Sequence, residues 1–524
     1  MYRVLEELNS LEEKTTKSLV LQKGHDHRQI LPEHSYKTMI RSFAGNVAAG
    51  LPRQVTIAGA QGMVQAGVRR QPLDDNASSS SINNKASHSQ PLTTTSMIDT
   101  VLTKALREAH LTVHDLDGLI AVPSLWDNHF MEAHFQATQL NLFRYRPQLR
   151  CKTIDTGGAG PITAILEGAR MILHEGLECV AVIAADRVGS MDSQEFLQRA
   201  SHSFATLDPS IPSPAIPHGY DKLTRYQMEH KGLTRDQLRM AVCLESVHAG
   251  LHPESLYRSK ALKKRQEQKE TKDEPPEGSS SPITPSSTLL YTPLEQVQEA
   301  PSVTPNISIL ECARRADGAA AIILTSNRFW ARRHHGHTAA AATNNNNRPT
   351  STAPARPITL IGGGESSGPL YPLGERQVDE SYFSCEHATQ LAYANAGNLT
   401  AADIDFFGLY DCFPICLVRA LEAAGLCDNG GEYLERQYAR LQQALQTNTL
   451  NQLLQDPSFF PINTHGGLLC FGAPWEAPAM YNLIEAVHQL RGEAKGRQIP
   501  NCRRALVYGN GGVLSASAVA ILAK

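Results

Sequence analysis

The segment Tyr410-Asp411-Cys412-Phe413 places a phenol, a carboxylate and a thiol next to one another in the chain. A free thiol has a pKa of about 8.5, so Cys412 can exchange protons near neutral pH only if its surroundings tune it. Asp411 is expected to hold the loop rather than to activate the thiol, and Tyr410 supplies a hydroxyl that can form hydrogen bonds. The alternative is that Cys412 is buried and packs as a small hydrophobic side chain.

A second segment, Asn463-Thr464-His465-Gly466-Gly467, contains a histidine, the side chain whose ordinary pKa lies closest to neutral pH. His465 is therefore a candidate general base, and Asn463 is a candidate polar contact next to it. Cys470 follows shortly after and is either a displaced reactive group or a packing residue. Cys151 is interpreted as structural, because it is expected to lie on a strand.

Three glycine-rich segments are candidates for ligand binding through the backbone: Gly157-Gly158-Ala159-Gly160, Gly472-Ala473-Pro474 and Tyr508-Gly509-Asn510-Gly511-Gly512. The first segment precedes a predicted helix, whose N-terminal N–H groups can bind an oxygen atom that carries negative charge. The third segment contains no cysteine, so its contribution is expected to come from its backbone.

Composition excludes several classes of protein. With 524 residues, the chain is expected to form two or three domains. A net charge of -3 at pH 7 argues against nucleic acid or an anionic membrane as the main partner. The ten cysteines include no C-x-x-C pair, which argues against a disulfide scaffold or a zinc site and favours reduced intracellular thiols. No apolar run approaches the roughly 18 residues that a membrane-spanning helix requires.

The N-terminal region contains a candidate targeting sequence. From Met39 to Leu73 the chain has no acidic residue but four arginines, a composition typical of mitochondrial presequences. A mitochondrial location is therefore expected if Met39 is the true start or if the segment acts internally. The alternative is a flexible extension before the first strand, with the protein in the cytosol. The C-terminal residues Ile-Leu-Ala-Lys do not form a peroxisomal signal of the Ser-Lys-Leu type.

Three segments, 71–96, 261–288 and 331–356, are predicted to be mobile surface insertions. They are rich in polar, proline or repeated residues and cannot bury enough apolar surface to offset the entropy lost on ordering. The third contains His334, His335 and His337, which are interpreted as part of a solvated loop rather than a metal site.

The rest of the chain contains an internal duplication. Residues 105–120 and 388–409 both read as a helix, then the pattern Leu-Thr-x-x-Asp-(Leu/Ile)-Asp, then an apolar strand. In each half a glycine-rich loop, a helix and an alanine-rich closing strand follow. Helices that alternate with short apolar strands predict an α/β fold whose sheets are covered on both faces.

These motifs together resemble the thiolase family, and are most similar to its sterol-carrier-protein-type branch. The family's H-D-C-F motif matches residues 410–413, its N-P-S-G-G segment matches 463–467, and its G-H-P motif matches 472–474. Residues 312–321 resemble the close of a thiolase N-terminal half. The resemblance covers about residues 53–524 and implies the thiolase fold, a duplicated five-layer α-β-α-β-α core with an inserted loop domain.

The resemblance also implies a domain organisation and a ligand. The loop domain, in which Ile216–Tyr220 including His218 falls where the family contacts CoA, helps to bind CoA thioesters. The expected parts are an N-terminal extension (1–52), an N-terminal half (53–187 and 306–330), the loop domain (188–305), a linker (331–356) and a C-terminal half (357–524).

The chain departs from the family at two positions that the covalent reaction needs. Gly157 stands where the family has its nucleophilic cysteine, and Ala473 stands where it has the histidine that activates that cysteine. The resemblance implies no metal and no permanently bound cofactor. It assigns candidate catalytic roles to Tyr410, Asp411, Cys412, Asn463 and His465. Candidate CoA-thioester contacts are Gly157, Gly158, Gly160, His218, Gly472, Ala473 and Gly511.

Three functional hypotheses follow. The first is a protein of lipid metabolism that binds acyl-CoA thioesters without the covalent cycle and retains chemistry such as decarboxylation or enolisation. The second is an active acetyl-CoA acyltransferase that uses Cys412 or Cys470. The third is a scaffold for a protein partner. Family members dimerise near the strand at residues 150–154, so a homodimer is expected, with a monomer left open.

Overall fold

A computed structural model describes residues 54–67, 92–270, 290–334, 355–372 and 384–524. Part of the predicted targeting segment, Val55–Gln65, forms a core strand that pairs with residues 317–326, so this part is not a free presequence. The rest of that segment and most of the three predicted insertions lie outside these residues. Within the described ranges, no helix is long and apolar enough to cross a membrane. The described residues likewise contain no group of three side chains placed to hold a metal ion.

The first part of the chain forms one half of the core and a largely helical inserted segment. Its elements, in chain order, are β1 (Val55–Gln65), α1 (Thr94–Glu108), β2 (Gly118–Ala121), α2 (Glu132–Gln139), α3 (Leu142–Tyr145), β3 (Arg150–Thr153), α4 (Gly160–His174), β4 (Cys179–Asp186), α5 (Ser193–Leu207), α6 (Ala215–Lys231), α7 (Arg235–Leu251), α8 (Leu256–Glu270), α9 (Leu294–Gln298), β5 (Ser302–Thr304), β6 (Ile307–Ser308), β7 (Asp317–Ser326) and α10 (Asn327–His334).

The second part forms the other half of the core. Its elements are β8 (Ile358–Ser367), α11 (Ser384–Asn395), β9 (Phe406–Gly408), α12 (Pro414–Ala423), α13 (Gly430–Gln446), α14 (Leu450–Leu453), α15 (Pro478–Arg491), β10 (Arg504–Gly511) and β11 (Ala516–Ala523), with a π-helical turn at Gly467–Phe471.

The two halves share one strand order, which confirms the predicted duplication. The first sheet runs β3-β2-β4-β7-β1, and the second runs β9-β10-β11-β8, with Ile462 bridging in parallel to Phe407 at the position equivalent to β3. In each half the inner strand pairs are parallel and the pairs with the closing strand are antiparallel. The sheets join where β1 pairs with β8, so the nine strands form one continuous sheet.

Alternating side chains on β4 show how each sheet is covered. Val180 and Val182 face the central helices, whereas Ala181 and Ile183 pack in the cluster formed with α1 on the opposite face. All eight residues of β4 are buried, as expected for a strand covered on both sides. This two-sided burial explains why the strand reads as a continuous apolar run.

The helices α4 and α15 form the middle layer. Each begins with a proline in its first turn, contacts the other helix, and contacts strands of both halves. The helices α1 and α11 cover the outer faces. The predicted α-β-α-β-α order is therefore confirmed, and the loops that start α4 and α15 meet at the same end of the core.

Two of the predicted insertions begin later than composition indicated. Residues 261–270 belong to α8, and residues 331–334 belong to α10. His334 is buried, stacks on Trp330 at 3.9 Å, and its Nε2 lies 3.1 Å from the Ala109 carbonyl oxygen. The interpretation of His334 as solvated was wrong because an amphipathic helix end can contain the same polar residues as a loop.

Candidate active site

A cavity of about 1630 Å³ lies where the inserted helices meet both halves of the core. Its walls are mostly apolar and aromatic, with Trp126, Phe196, Phe204 and Phe413 among them. Pockets that bind small molecules typically measure about 300–1,000 Å³, so this one can hold a large ligand. Six of the predicted site residues line it: Gly157, Gly158, Tyr410, Cys412, Ala473 and Gly511.

The floor of the cavity is a close backbone contact between two glycine-rich loops. Gly157 has a φ of 60°, and a Cβ added there would lie 3.0 Å from the Cα of Gly511. A Cβ on Gly158 would lie 2.1 Å from the Tyr410 hydroxyl oxygen and 2.4 Å from the Asn510 carbonyl oxygen. Only glycine allows this approach without a shift of the backbone. Gly157 and Gly158 therefore present backbone, not side chains, to the cavity.

Cys412 is half-buried just before α12 and is held by a polar network. Its thiol interacts with the hydroxyl of Tyr220 from α6 and with the thiol of Cys416 one turn further on. The Tyr220 hydroxyl donates to the Gly512 carbonyl at 3.0 Å and accepts from the Asn510 amide at 2.6 Å. Burial and the neighbouring thiols raise the pKa of Tyr220 well above its ordinary value, so this residue stays neutral.

Tyr410 and Asp411 serve different purposes although they are adjacent. The Tyr410 side chain lines the cavity, and its pKa is raised well above the ordinary value by burial and then by the nearby Cys412. It is therefore a neutral hydrogen-bond donor. Asp411 is buried and accepts from the backbone N–H groups of Leu468 at 2.9 Å and Leu469 at 3.2 Å. Burial raises the pKa of Asp411 to about 7, and the side chain braces the loop.

Several predicted site residues do not line the cavity. The amide of Asn463 is buried and bonds both backbone groups of Leu409 at 2.8 Å. Gly160 is the first residue of α4 and donates to the Gly157 carbonyl. Contacts between loops and helices place these residues outside the cavity lining, and such contacts cannot be predicted from spacing along the sequence. The predicted residues outside the lining are Gly160, His218, Asp411, Asn463, His465 and Gly472.

His465 is buried outside the cavity lining, in a cluster with Glu485, Arg497, His248 and His252. Its ring meets that of Phe471 at 5.1 Å, and burial lowers its pKa to about 4. Burial also lowers the pKa of His248 to about 4 and that of His252 to about 3. The structure therefore assigns His465 to this cluster and not to the cavity.

The lowered pKa of His465 predicts a pH-dependent contribution to stability. In the unfolded chain the imidazole binds a proton below about pH 6.5, whereas in the folded protein it stays neutral down to about pH 4. Its contribution is thus present above pH 6.5 and is lost as pH falls toward 4, by up to about 1.4 kcal/mol per pH unit. His465→Gln should lose less stability than the natural protein between pH 7 and 5.

Urea unfolding of both proteins at pH 7, 6 and 5 measures this effect. The readout is the difference in unfolding free energy between the two proteins at each pH. This difference is needed because burial raises the pKa values of Asp186 and Asp411 to about 7, so protonation of these carboxyl groups stabilises the folded protein as pH falls and opposes the effect of the histidines. Parallel pH profiles for the two proteins would contradict the prediction.

Sequence reasoning missed several charged residues of the cavity, among them Glu476. Glu476 lies three residues after Ala473 and lines the cavity, together with Asp155 and Trp475. Its Oε2 atom is buried and has no hydrogen-bond partner among the described residues. A lone glutamate inside the apolar segment 472–480 is a signal that could have identified it.

Comparison with known proteins agrees with this architecture. Residues 375–524 match the thiolase C-terminal domain-like family. The chain is 24% identical over 314 residues to an acetyl-CoA acetyltransferase of Methanothermobacter thermautotrophicus, covering 59% of this chain and 63% of that protein. It is 33% identical over 128 residues to sterol carrier protein 2 of Bos taurus, covering 24% of this chain and 21% of that protein. The matched region therefore spans less than two thirds of either relative.

Solved structures show the same fold. An Ltp2-ChsH2(DUF35) aldolase superposes with a TM-score of 0.59 at 19% identity, covering 91% of this chain and 99% of that chain. A monomeric SCP2-thiolase-like protein of Mycobacterium smegmatis gives 0.56 at 15% identity, covering 90% and 77%. Human mitochondrial 3-ketoacyl-CoA thiolase in complex with CoA gives 0.55 at 14% identity, covering 90% and 98%.

The fold and the arrangement of loops define an α/β protein with a thiolase core. Residues 375–524 carry the match to the thiolase C-terminal domain-like family, and the chain as a whole has the thiolase fold.

Proposed function

We propose that the protein binds an acyl-CoA thioester in this cavity and stabilises its enolate without forming an acyl-enzyme. The observation that carries the proposal is the contact between the Gly157 loop and Gly511. By the family resemblance, Gly157 occupies the position of the nucleophile, and a side chain there would be strained by the positive φ and crowded by the opposing backbone at 3.0 Å. Ala473, at the position of the activating histidine, supplies no base.

Three features support a thioester as the ligand. The relatives include an acetyl-CoA acetyltransferase and a thiolase solved with CoA. The cavity combines apolar walls, suited to an acyl chain, with the cations Arg199 and Arg315. Backbone N–H groups of the Gly157 loop at the start of α4 can stabilise the negative oxygen of an enolate.

The class of reaction follows from the side chains and backbone groups that line the cavity in the absence of a nucleophile at position 157 and a base at position 473. Enolisation, decarboxylation and aldol cleavage all place negative charge on the thioester oxygen, and none requires an acyl-enzyme. Cys412 is the candidate that delivers or removes a proton at the α carbon, with Tyr410 as a neutral donor beside it. That a structural neighbour is an aldolase favours cleavage of a carbon–carbon bond.

A second candidate function is acyl transfer through Cys412. The observation in its favour is that this thiol lines the cavity. Against it, Cys412 interacts with Tyr220 and Cys416, whose pKa values are raised well above ordinary, so neither is a base near neutral pH.

Replacement of Cys412 tests the proposal. Cys412→Ala is expected to bind butanoyl-CoA with unchanged affinity but to exchange its α protons for deuterium about 100-fold more slowly, because a proton-transfer group typically contributes 10²–10⁴-fold. Calorimetry measures binding, and mass spectrometry measures exchange. Cys427→Ala, at a half-buried cysteine outside the cavity lining, is the matched control and should behave as the natural protein.

The outcomes separate the three hypotheses. An acylated Cys412 trapped during turnover would establish acyl transfer in place of the proposal. Absence of any binding to CoA thioesters would favour a scaffold. Exchange that is unchanged in Cys412→Ala would remove Cys412 from the mechanism.

A further inference from the structure

We infer that Glu476 is a catalytic base that takes the proton of a substrate hydroxyl, and that the substrate is therefore a 3-hydroxyacyl thioester cleaved between its α and β carbons. This inference rests on the proposed function and adds to it a residue and a substrate class. The resemblance to the thiolase family assigns no role to Glu476, so the residue calls for its own explanation.

The first observation is the unsatisfied Oε2 atom of Glu476, whose carboxylate also interacts with the Trp475 side chain. Among the cavity-lining residues, Glu476 is the one with a buried side-chain oxygen that lacks a hydrogen-bond partner. A buried polar atom without a partner costs about 1–3 kcal/mol, so its retention points to a ligand that completes the bond. A hydroxyl group of the substrate is a donor of the right kind.

The second observation is how the backbone presents this side chain. Trp475 has a φ of 47°, the left-handed region that bulky residues rarely adopt. Its ring packs edge-on against Phe196 at 5.5 Å, and Arg315 lies over the other aromatic ring at 4.6 Å. The anchored tryptophan holds the strained turn, and the next residue, Glu476, lines the cavity as a result.

The third observation is the set of ionisable groups near Glu476. The pKa of Tyr410 is raised by burial first and then, among other groups, by Cys412 and Glu476, so the phenol lies within electrostatic reach of both. Burial, followed by the charges of Asp155 and Asp186, raises the pKa of Glu476 itself well above its ordinary value. In its ionised form, a carboxylate of raised pKa is a stronger base for a hydroxyl than an ordinary carboxylate, and it holds the proton that it takes.

The Glu476 carboxylate takes the β-hydroxyl proton, the bond between the α and β carbons breaks, and a ketone or aldehyde leaves. The electron pair passes to the thioester as an enolate, whose oxygen the backbone N–H groups of the Gly157 loop stabilise. The Cys412 thiol protonates the α carbon, which yields the shortened thioester. The proton held by Glu476 then returns to the Cys412 thiolate, and the site is restored.

The test compares two reactions in the same variants of the full chain. Cleavage is measured with 3-hydroxybutanoyl-CoA, 3-hydroxy-3-methylbutanoyl-CoA and 3-hydroxy-3-phenylpropanoyl-CoA, as release of the aldehyde or ketone and acetyl-CoA. Exchange of α protons is measured with butanoyl-CoA, which has no hydroxyl. Glu476→Gln should lower cleavage at least about 100-fold while exchange stays within a few-fold of the natural protein.

Controls keep the outcomes distinct. Exposed Glu493→Gln should leave both reactions unchanged, and Cys412→Ala should lower both. The inference is overturned if Glu476→Gln cleaves as fast as the natural protein, or if cleavage and exchange fall in parallel in this variant. It is also overturned if the natural protein exchanges the α protons of butanoyl-CoA but cleaves none of the hydroxyacyl thioesters. A natural protein that neither binds nor exchanges would overturn the proposed function instead. If Glu476→Gln does not fold, Glu476→Asp applies the same comparison, and cleavage must fall more than exchange.

Discussion

Acetoacetyl-CoA and CoA are expected to give no acetyl-CoA above background when incubated with this protein. Thiolysis requires an acyl group to rest on a cysteine that a histidine activates, and Gly157 and Ala473 provide neither group. In a serine protease, loss of the nucleophile or the base lowers kcat by on the order of 10⁶-fold, and a deficit of similar size is expected here. A coupled assay of acetyl-CoA, with an active thiolase as reference, measures it.

Restoring the missing groups sharpens this prediction. Gly157→Cys alone should not restore thiolysis, because Ala473 still supplies no base and because the backbone at Gly157 has a φ of 60°. The double change Gly157→Cys with Ala473→His supplies both groups. It should form a detectable acyl-enzyme only if the Gly511 loop moves away from the new side chain, whose Cβ would otherwise lie 3.0 Å from the Gly511 Cα.

Mass spectrometry of the protein after incubation with acetoacetyl-CoA detects an acyl-enzyme directly. Thiolysis by the unmodified protein at ordinary thiolase rates, or an acyl group trapped on any of its cysteines, would show that covalent chemistry has been reassigned rather than lost.

Replacement of Arg497 by leucine is expected to lower the free energy of unfolding by about 3–5 kcal/mol. Arg497 forms two hydrogen bonds with Glu485, at 3.1 Å and 2.9 Å, and both side chains are at most 6% exposed. Burial opposes ionisation of Glu485, yet Arg497 lowers its pKa below the ordinary value, so the carboxylate is charged in the folded protein. Without the guanidinium, that charge would be buried and unpaired.

A surface ion pair provides the matched control. Arg504 and Asp403 lie 3.9 Å apart with both side chains more than 40% exposed, so Arg504→Leu should cost less than about 1 kcal/mol. Chemical unfolding of both variants measures the difference. Equal small losses would mean that the histidines and Thr464 around Glu485 hold the carboxylate without Arg497.

Local sequence patterns were sufficient to predict the architecture of this protein. The repeated Leu-Thr-x-x-Asp pattern at residues 111–117 and 399–405 predicts two equivalent halves, and the strand order confirms them. Such patterns survive in sequence because helix caps and buried strands depend on residues close together in the chain. The identity of residues 157 and 473 is likewise a fact of sequence.

Tertiary packing decided which polar residues share the cavity. His465 and Cys412 lie in motifs of equal prominence, yet one is enclosed with Glu485 and Arg497 while the other faces the cavity beside Tyr220. Glu476 stood out in no motif, and the turn at Trp475 together with contacts to a distant helix carries it into the site. Side-chain direction at these positions depends on contacts between residues hundreds of positions apart, and spacing along one chain does not encode such contacts in a readable form.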